Sequence, residues 1–217
     1  MIKISFFLFF ILFSGCSLKT PPNEWQYKSA TAFNSYTQDF LADNETLAKN
    51  DLARAIKHAK KSADLTQLAK IYLGKCALNI SVGINDNCKE YANISNLVKD
   101  NMLNAYYNFI HLSLKKEQIK YLPKNYHSFA KNLMKKDFKN ANEAIFNMPK
   151  ATSSFLCASL IKDNITPGSR QKILNLASYY GYKKLVLFWL RESIKRSANQ
   201  DKIKKLRKKI FILQSNN

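Results

Sequence analysis

The sequence predicts an all-α protein of stacked helical hairpins, about nine helices in all, with an irregular helical bundle as the alternative. Three observations lead there. Gly and Pro number only five each in 217 residues, too few for the tight turns of an all-β chain. Apolar residues recur at intervals of three and four rather than two, which is the period of a helix face. Pro21-Pro22, Gly74, Gly83, Pro123, Pro149, Pro167-Gly168 and Gly181 then divide the chain into helix-length pieces.

Taken in order, Ala48, Leu52, Ala55, Ile56 and Ala59 form the first apolar stripe. Leu65, Leu68, Ala69, Tyr72 and Leu73 form the next, with Asp64 placed as its N-cap. Met102, Ala105, Tyr106 and Phe109 mark a third helix, and Phe129, Ala130, Leu133 and Met134 a shorter one. Between Phe138 and Phe146 the pattern is hardly visible. Ile173, Leu176, Ala177 and Tyr180 follow Pro167-Gly168-Ser169, and Leu185, Phe188, Trp189 and Ile194 follow the Gly181 turn. Ile203, Leu206, Ile210 and Leu213 close the chain at steps of three, four and three, a stripe that predicts docking on the body.

Two segments share one form. Leu65-x2-Leu68-Ala69-x2-Tyr72 and Ile173-x2-Leu176-Ala177-x2-Tyr180 lie 108 residues apart, three units of 36. Met102-x2-Ala105-Tyr106-x2-Phe109 keeps the internal spacing with altered residues. These pieces resemble the tetratricopeptide and Sel1-like families, whose helix pairs repeat at 34 to about 40 residues. The resemblance implies that the small residue lets two helices approach while the large ones fill the groove between pairs. It covers about half of the chain.

At the N-terminus, Lys3 precedes an apolar run from Ile4 to Phe13, followed by Ser14-Gly15-Cys16. A positive start, an apolar core and small residues make a secretory signal. The run is shorter than the roughly 20 residues needed to span a bilayer. Ending in Gly15-Cys16, the segment resembles a bacterial lipoprotein signal with its lipobox. Phe13 stands where that family prefers Leu, so an unlipidated signal is the first rival reading, and a retained helix the second. The resemblance implies cleavage after residue 15, a lipidated Cys16 carrying palmitate-class acyl chains, and, with Ser17 rather than Asp next, sorting to the outer membrane. Residues 16–24 then form a tether stiffened by Pro21-Pro22, long enough to hold the body about 25 Å from the lipid at ~3.3 Å per residue. Residues 25–217 are the helical-repeat domain.

The formal net charge is +20. Removing residues 1–15 takes away Lys3 and no acid, which leaves +19. Such an excess implies acidic surroundings. For an exported, anchored chain these are anionic phospholipid, phosphorylated glycolipid or acidic protein partners, and not nucleic acid. The excess is concentrated at the end. Eleven basic residues lie between Lys183 and Lys209, opposed only by Glu192 and Asp201. With the stripe above they make a basic amphipathic helix. Its face of Lys204, Lys205, Arg207, Lys208 and Lys209 is the candidate anionic-surface site. The plainer reading is a terminal cap with its polar side in water.

With Cys16 assigned to lipid, Cys76, Cys88 and Cys157 remain. An oxidising periplasm favours disulfides. Cys76 and Cys88 stand 12 apart around Gly83 and Asn85-Asp86-Asn87, a spacing suited to a staple from one helix end to the next start. Zinc is the rival, disfavoured by the absence of a nearby His or a C-x-x-C. Cys157, in Phe155-Leu156-Cys157-Ala158, reads as a buried small residue.

No catalytic residue, metal ligand or cofactor is assigned. His58 reads as a solvated residue on a Lys-rich face, and His111 and His127 as structural histidines. Ser113-x-x-Lys116 has a serine–lysine spacing without its companion motifs. The expected function is a lipid-anchored, periplasm-facing scaffold or assembly factor that binds an envelope protein. A binder of anionic glycolipid or polymer through the basic helix is the alternative, and a cell-wall enzyme a third reading.

Overall fold

All regular structure between residues 23 and 215, the part described by the computed structural model, is helical. The α-helices are α1 (Glu24–Ala42), α2 (Glu45–Ala59), α3 (Thr66–Ser81), α4 (Lys89–Ala92), α5 (Asn101–Ile110), α6 (Lys124–Met134), α7 (Phe138–Phe146), α8 (Ala151–Leu160), α9 (Pro167–Tyr179), α10 (Lys183–Lys195) and α11 (Gln200–Gln214). Short 3-10 segments occupy Ser95–Leu97, Lys116–Tyr121 and Lys162–Asn164. The all-α class is as the sequence predicts. The count exceeds nine because α4 is a single turn and α1 carries no obvious apolar stripe.

Local chemistry sets the boundaries. Asp100 accepts from the backbone N–H groups of Met102 and Leu103, Asp137 from Asn140, Thr166 from Ser169 and Asn199 from Lys202. Each such N-cap stabilises its helix by about 1 kcal/mol. Asp64, expected as the N-cap of α3, sits one residue too early: Leu65 takes that position without a side-chain cap, and Asp64 instead accepts from Thr66 N–H at 2.9 Å in the turn ahead of the helix. Gly181, at φ +68°, turns the chain between α9 and α10. That left-handed conformation costs glycine little.

The faint pattern of α1 has a packing cause. Its inward face is Ser29, Ala32, Tyr36 and Phe40, and it meets Ala48, Ala55 and Ala59 of α2, all buried. Small residues bring the two backbones close enough for the Ser29 hydroxyl to donate to the Ala55 carbonyl at 3.0 Å. A hydroxyl buried this way costs little because it is satisfied.

Helices α1 and α2, α6 and α7, and α9 and α10 pack as sequence-adjacent pairs, but contacts also join elements distant in sequence. Helix α3 packs on α8 and α1 on α10. A simple repeat array touches only its neighbours, whereas here the first helix meets the tenth. Tyr182 donates to Gln38 at 2.9 Å, and the Lys184 ammonium lies 4.1 Å from the centre of the Phe40 ring while pairing with Glu45.

Helix α8 lies at the centre. Ser153 to Ser159 are all buried, and a helix apolar all round belongs in a core. Its serines are satisfied: Ser154 donates to the Ile145 carbonyl, Ser159 to the Ile80 carbonyl, and Ser153 shares a bond with Tyr126. Cys157 is buried and unpaired among the described residues, as expected, and burial pushes its thiol pKa up. Phe155 of α8 shares one buried cluster with Phe109, Phe129 and Trp189. The quoted repeat pieces fall on α3, α5 and α9, and their small residues Ala69, Ala105 and Ala177 are fully buried. Four residues assigned to apolar stripes are instead exposed, namely Met102, Met134, Tyr180 and Leu213.

Candidate functional site

The basic C-terminal helix is where sequence and structure converge on a surface, and its environment differs from the rest of the body. Of the eleven cations between Lys183 and Lys209, four are paired. Lys183 meets Asp43 at 3.4 Å, and Lys184 pairs with Glu45. Lys195 meets Glu192 at 2.7 Å, while Arg196 pairs with Glu192 and meets Asp163 at 2.9 Å. These pairs join α10 to the α1–α2 turn and to the 3-10 turn at Lys162–Asn164. Glu192 is buried, which disfavours its ionisation, but hydrogen bonds from Lys195 and Arg196 outweigh that and hold its carboxyl below the usual range.

On α11 the cations are different. Lys202, Lys204, Lys205, Arg207, Lys208 and Lys209 are exposed and have no carboxylate partner among the described residues. The five residues expected to form the basic face are among them. Helix α11 packs on α10 but buries none of its residues. Ile203, Leu206 and Ile210 are half-buried, which corrects the expectation that Leu206 and Ile210 belong to the core. The cause is position: among the described elements only α10 packs closely on this helix, so each apolar side chain is covered on one side. Its far end is more open still. Phe211 is 74% exposed, Ile212 58% and Leu213 38%. Leu174, Val186, Leu190, Ile212 and Leu213 line a groove of about 560 Å³ between α9, α10 and α11, with Lys209 at its edge.

No protein-family model, characterised protein or solved structure matches this chain. The site is therefore argued from its own residues. Cys16, the Gly15-Cys16 lipobox and most of the tether lie outside the described residues. No described helix is long and apolar enough to cross a membrane.

The cysteine expectation meets the structure directly. The sulfurs of Cys76 and Cys88 are 1.94 Å apart, with Cα atoms 5.3 Å apart, within disulfide geometry. The bond links the last third of α3 to the residue that starts α4. Asp86 shapes the loop between them, accepting from Asn79 and from Cys88 N–H.

One expectation about histidine is overturned. The sequence places no His near the cysteines, yet the fold brings His111, at the end of α5, against them. A ring nitrogen of His111 and both sulfurs lie within 4.8 Å of one another. No motif spacing could show this, because the residues meet only through packing of α5 on α3. His58 also departs from expectation. It is half-buried rather than solvated, and desolvation with Lys61, Lys28, Lys57 and Arg54 nearby lowers its pKa. His127 is structural as read, bonded to the Leu122 carbonyl at 2.8 Å. Ser113 is exposed and donates to the Asn108 carbonyl, so its hydroxyl is not aimed at Lys116.

Proposed function

We propose that this protein is a lipid-anchored, periplasm-facing binding scaffold of the cell envelope. In this reading Cys16 holds it to the outer membrane and α11 meets an anionic envelope surface, either phospholipid headgroups or phosphorylated glycolipid. The observation that carries this is the concentration of charge: six cations of α11, within Lys202 to Lys209, face solvent with no carboxylate partner among the described residues, whereas four of the five cations from Lys183 to Arg196 are paired. A cluster of this kind near an anionic surface gains about 1 kcal/mol per Lys or Arg. The exposed Phe211 and Ile212 add apolar area at the same end of the helix, as interfacial helices do.

A second reading, an envelope protein partner, is favoured by the apolar groove beside α11. Its basic edge suits an acidic amphipathic segment. A co-sedimentation experiment separates the two. Protein beginning at Ser17, and so without lipid, should pellet with vesicles containing anionic phospholipid at low salt. It should be released at high salt, as the screening length falls from about 10 Å at 0.1 M to about 3 Å at 1 M. Vesicles of phosphatidylcholine alone should not pellet it. Failure to bind any anionic vesicle leaves the groove and a protein partner as the standing reading.

A further inference from the structure

We propose that Cys76, Cys88 and His111 form a redox-gated metal site: once the disulfide is reduced, the three side chains bind one thiophilic d10 cation, Zn2+. The inference is independent of the binding role assigned to α11.

Nδ1 of His111 lies 2.8 Å from the Tyr107 carbonyl. A carbonyl only accepts, so Nδ1 carries the hydrogen and donates it. In the neutral ring the lone pair then sits on Nε2. That atom is buried and has no hydrogen-bond partner among the described residues. Buried polar atoms are almost always satisfied, so an orphan asks for an explanation. A ring fixed by Nδ1–H···O=C with a bare Nε2 is the arrangement of a metal-ligating histidine, whose tautomer a backbone carbonyl sets. Tyr107 also packs on the ring, with centroids 4.3 Å apart, and so limits its rotation.

The sulfurs supply the rest. In the disulfide they have no charge to offer. Reduction by a dithiol breaks the Cys76–Cys88 S–S bond and forms two thiols here and one disulfide in the reductant. Binding of Zn2+ then releases the two thiol protons and forms two Zn–S bonds, with Nε2 as the third ligand. Two Cys and one His leave a fourth tetrahedral position for water or an outside ligand. A cleft borders the imidazole and the loop, although neither cysteine lines it. His111 and Asp86 line this cleft of about 550 Å³ together with Gly83, Ser159 and Asp163, and the Asp86 carbonyl lies 3.7 Å from the Cys76 sulfur. The loop that must give way when the sulfurs separate is the one Asp86 organises, between α3 and α4.

The test uses protein from Ser17 onward, which contains every described residue. After reduction with a phosphine under argon it is titrated with Co2+ as a spectroscopic stand-in for Zn2+. The reduced protein should bind one equivalent, with thiolate-to-cobalt charge-transfer and tetrahedral d–d bands. The oxidised protein should show neither. His111→Gln should weaken binding by more than about tenfold, the loss that removing even an outer-shell partner produces. Cys157→Ser should leave the titration unchanged. Should His111→Gln fail to fold, the imidazole nitrogen resonances of the parent report instead, and Zn2+ should shift Nε2 only after reduction. Absence of the bands in folded, reduced protein would overturn the proposal. So would bands undiminished in His111→Gln, an unshifted Nε2, or loss of the fold on reduction.

Discussion

Helices α8 and α11 are opposites. Seven consecutive residues of α8 are buried, serines included, while α11 buries none of its fifteen. Both carry enough apolar residues to pack, so composition alone does not separate them. What differs is the number of layers around each. Helix α8 is covered by α3, α7 and α9, and its few polar groups find partners in neighbouring helices. Helix α11 packs mainly on α10 and borders α9 only across an open groove, so its apolar stripe is half-covered and its Lys and Arg meet no carboxylate among the described residues. The protein keeps one part closed and self-satisfied and leaves another open and charged.

This contrast can be broken by mutation, and the largest effect belongs to the core. Phe155→Ala, at the centre of α8, should cost about 3–5 kcal/mol by urea denaturation, whereas Phe211→Ala on α11 should change stability by less than about 0.5 kcal/mol. Equal losses would mean that α11 is part of the core after all. The disulfide comes next. Cys76→Ser should cost roughly 3 kcal/mol in the chain-entropy account of a loop this size, and reduction should lower the melting temperature of the parent but not of the variant.

Glu192, in the layer between the two regions, makes a pH-dependent contribution. Its folded pKa is below the ordinary 4.5, so the stabilisation is complete above that pH and is lost as pH falls through the folded value. Glu192→Gln should cost about 2 kcal/mol near neutrality, the scale of hydrogen bonds to a charged group. The gap between parent and variant should close on acidification below about pH 4.5, followed by thermal melts across that range. A gap independent of pH would mean that the carboxylate charge is not what α10 uses. Of similar size, Leu206→Ser with Ile210→Ser should together cost about 2 kcal/mol, since each half-buried side chain loses about half of a full burial term. Circular dichroism should show α11 loosening while the body's melting transition stays in place.

Much of this was legible before the fold was known. The all-α class follows from the three-and-four spacing, and the Cys76–Cys88 pair and the burial of Cys157 follow from local chemistry. The misses share a cause. Helix α1 hides because Ser29 and Ala32 are chosen for close approach to α2 rather than for apolarity. The α1–α10 contact and the approach of His111 to the cysteines arise from chain closure, which no local pattern encodes. Leu206 and Ile210 form the right stripe on the right helix, but a stripe says which face turns inward and not how much protein waits there.

The central claim is that α11, and not net charge alone, makes the contact. The direct measurement compares two variants of equal charge in anionic-vesicle co-sedimentation at low salt. One carries Gln at Lys204, Lys205, Lys208 and Lys209. The other carries Gln at Lys124, Lys131, Lys135 and Lys139, which are also exposed but lie on α6, α7 and the turn between them. At about 1 kcal/mol per cation near the surface, the α11 variant should lose most of its binding, tenfold or more, while the body variant stays close to the parent. Equal weakening of the two would contradict the account and reduce α11 to a solvated cap.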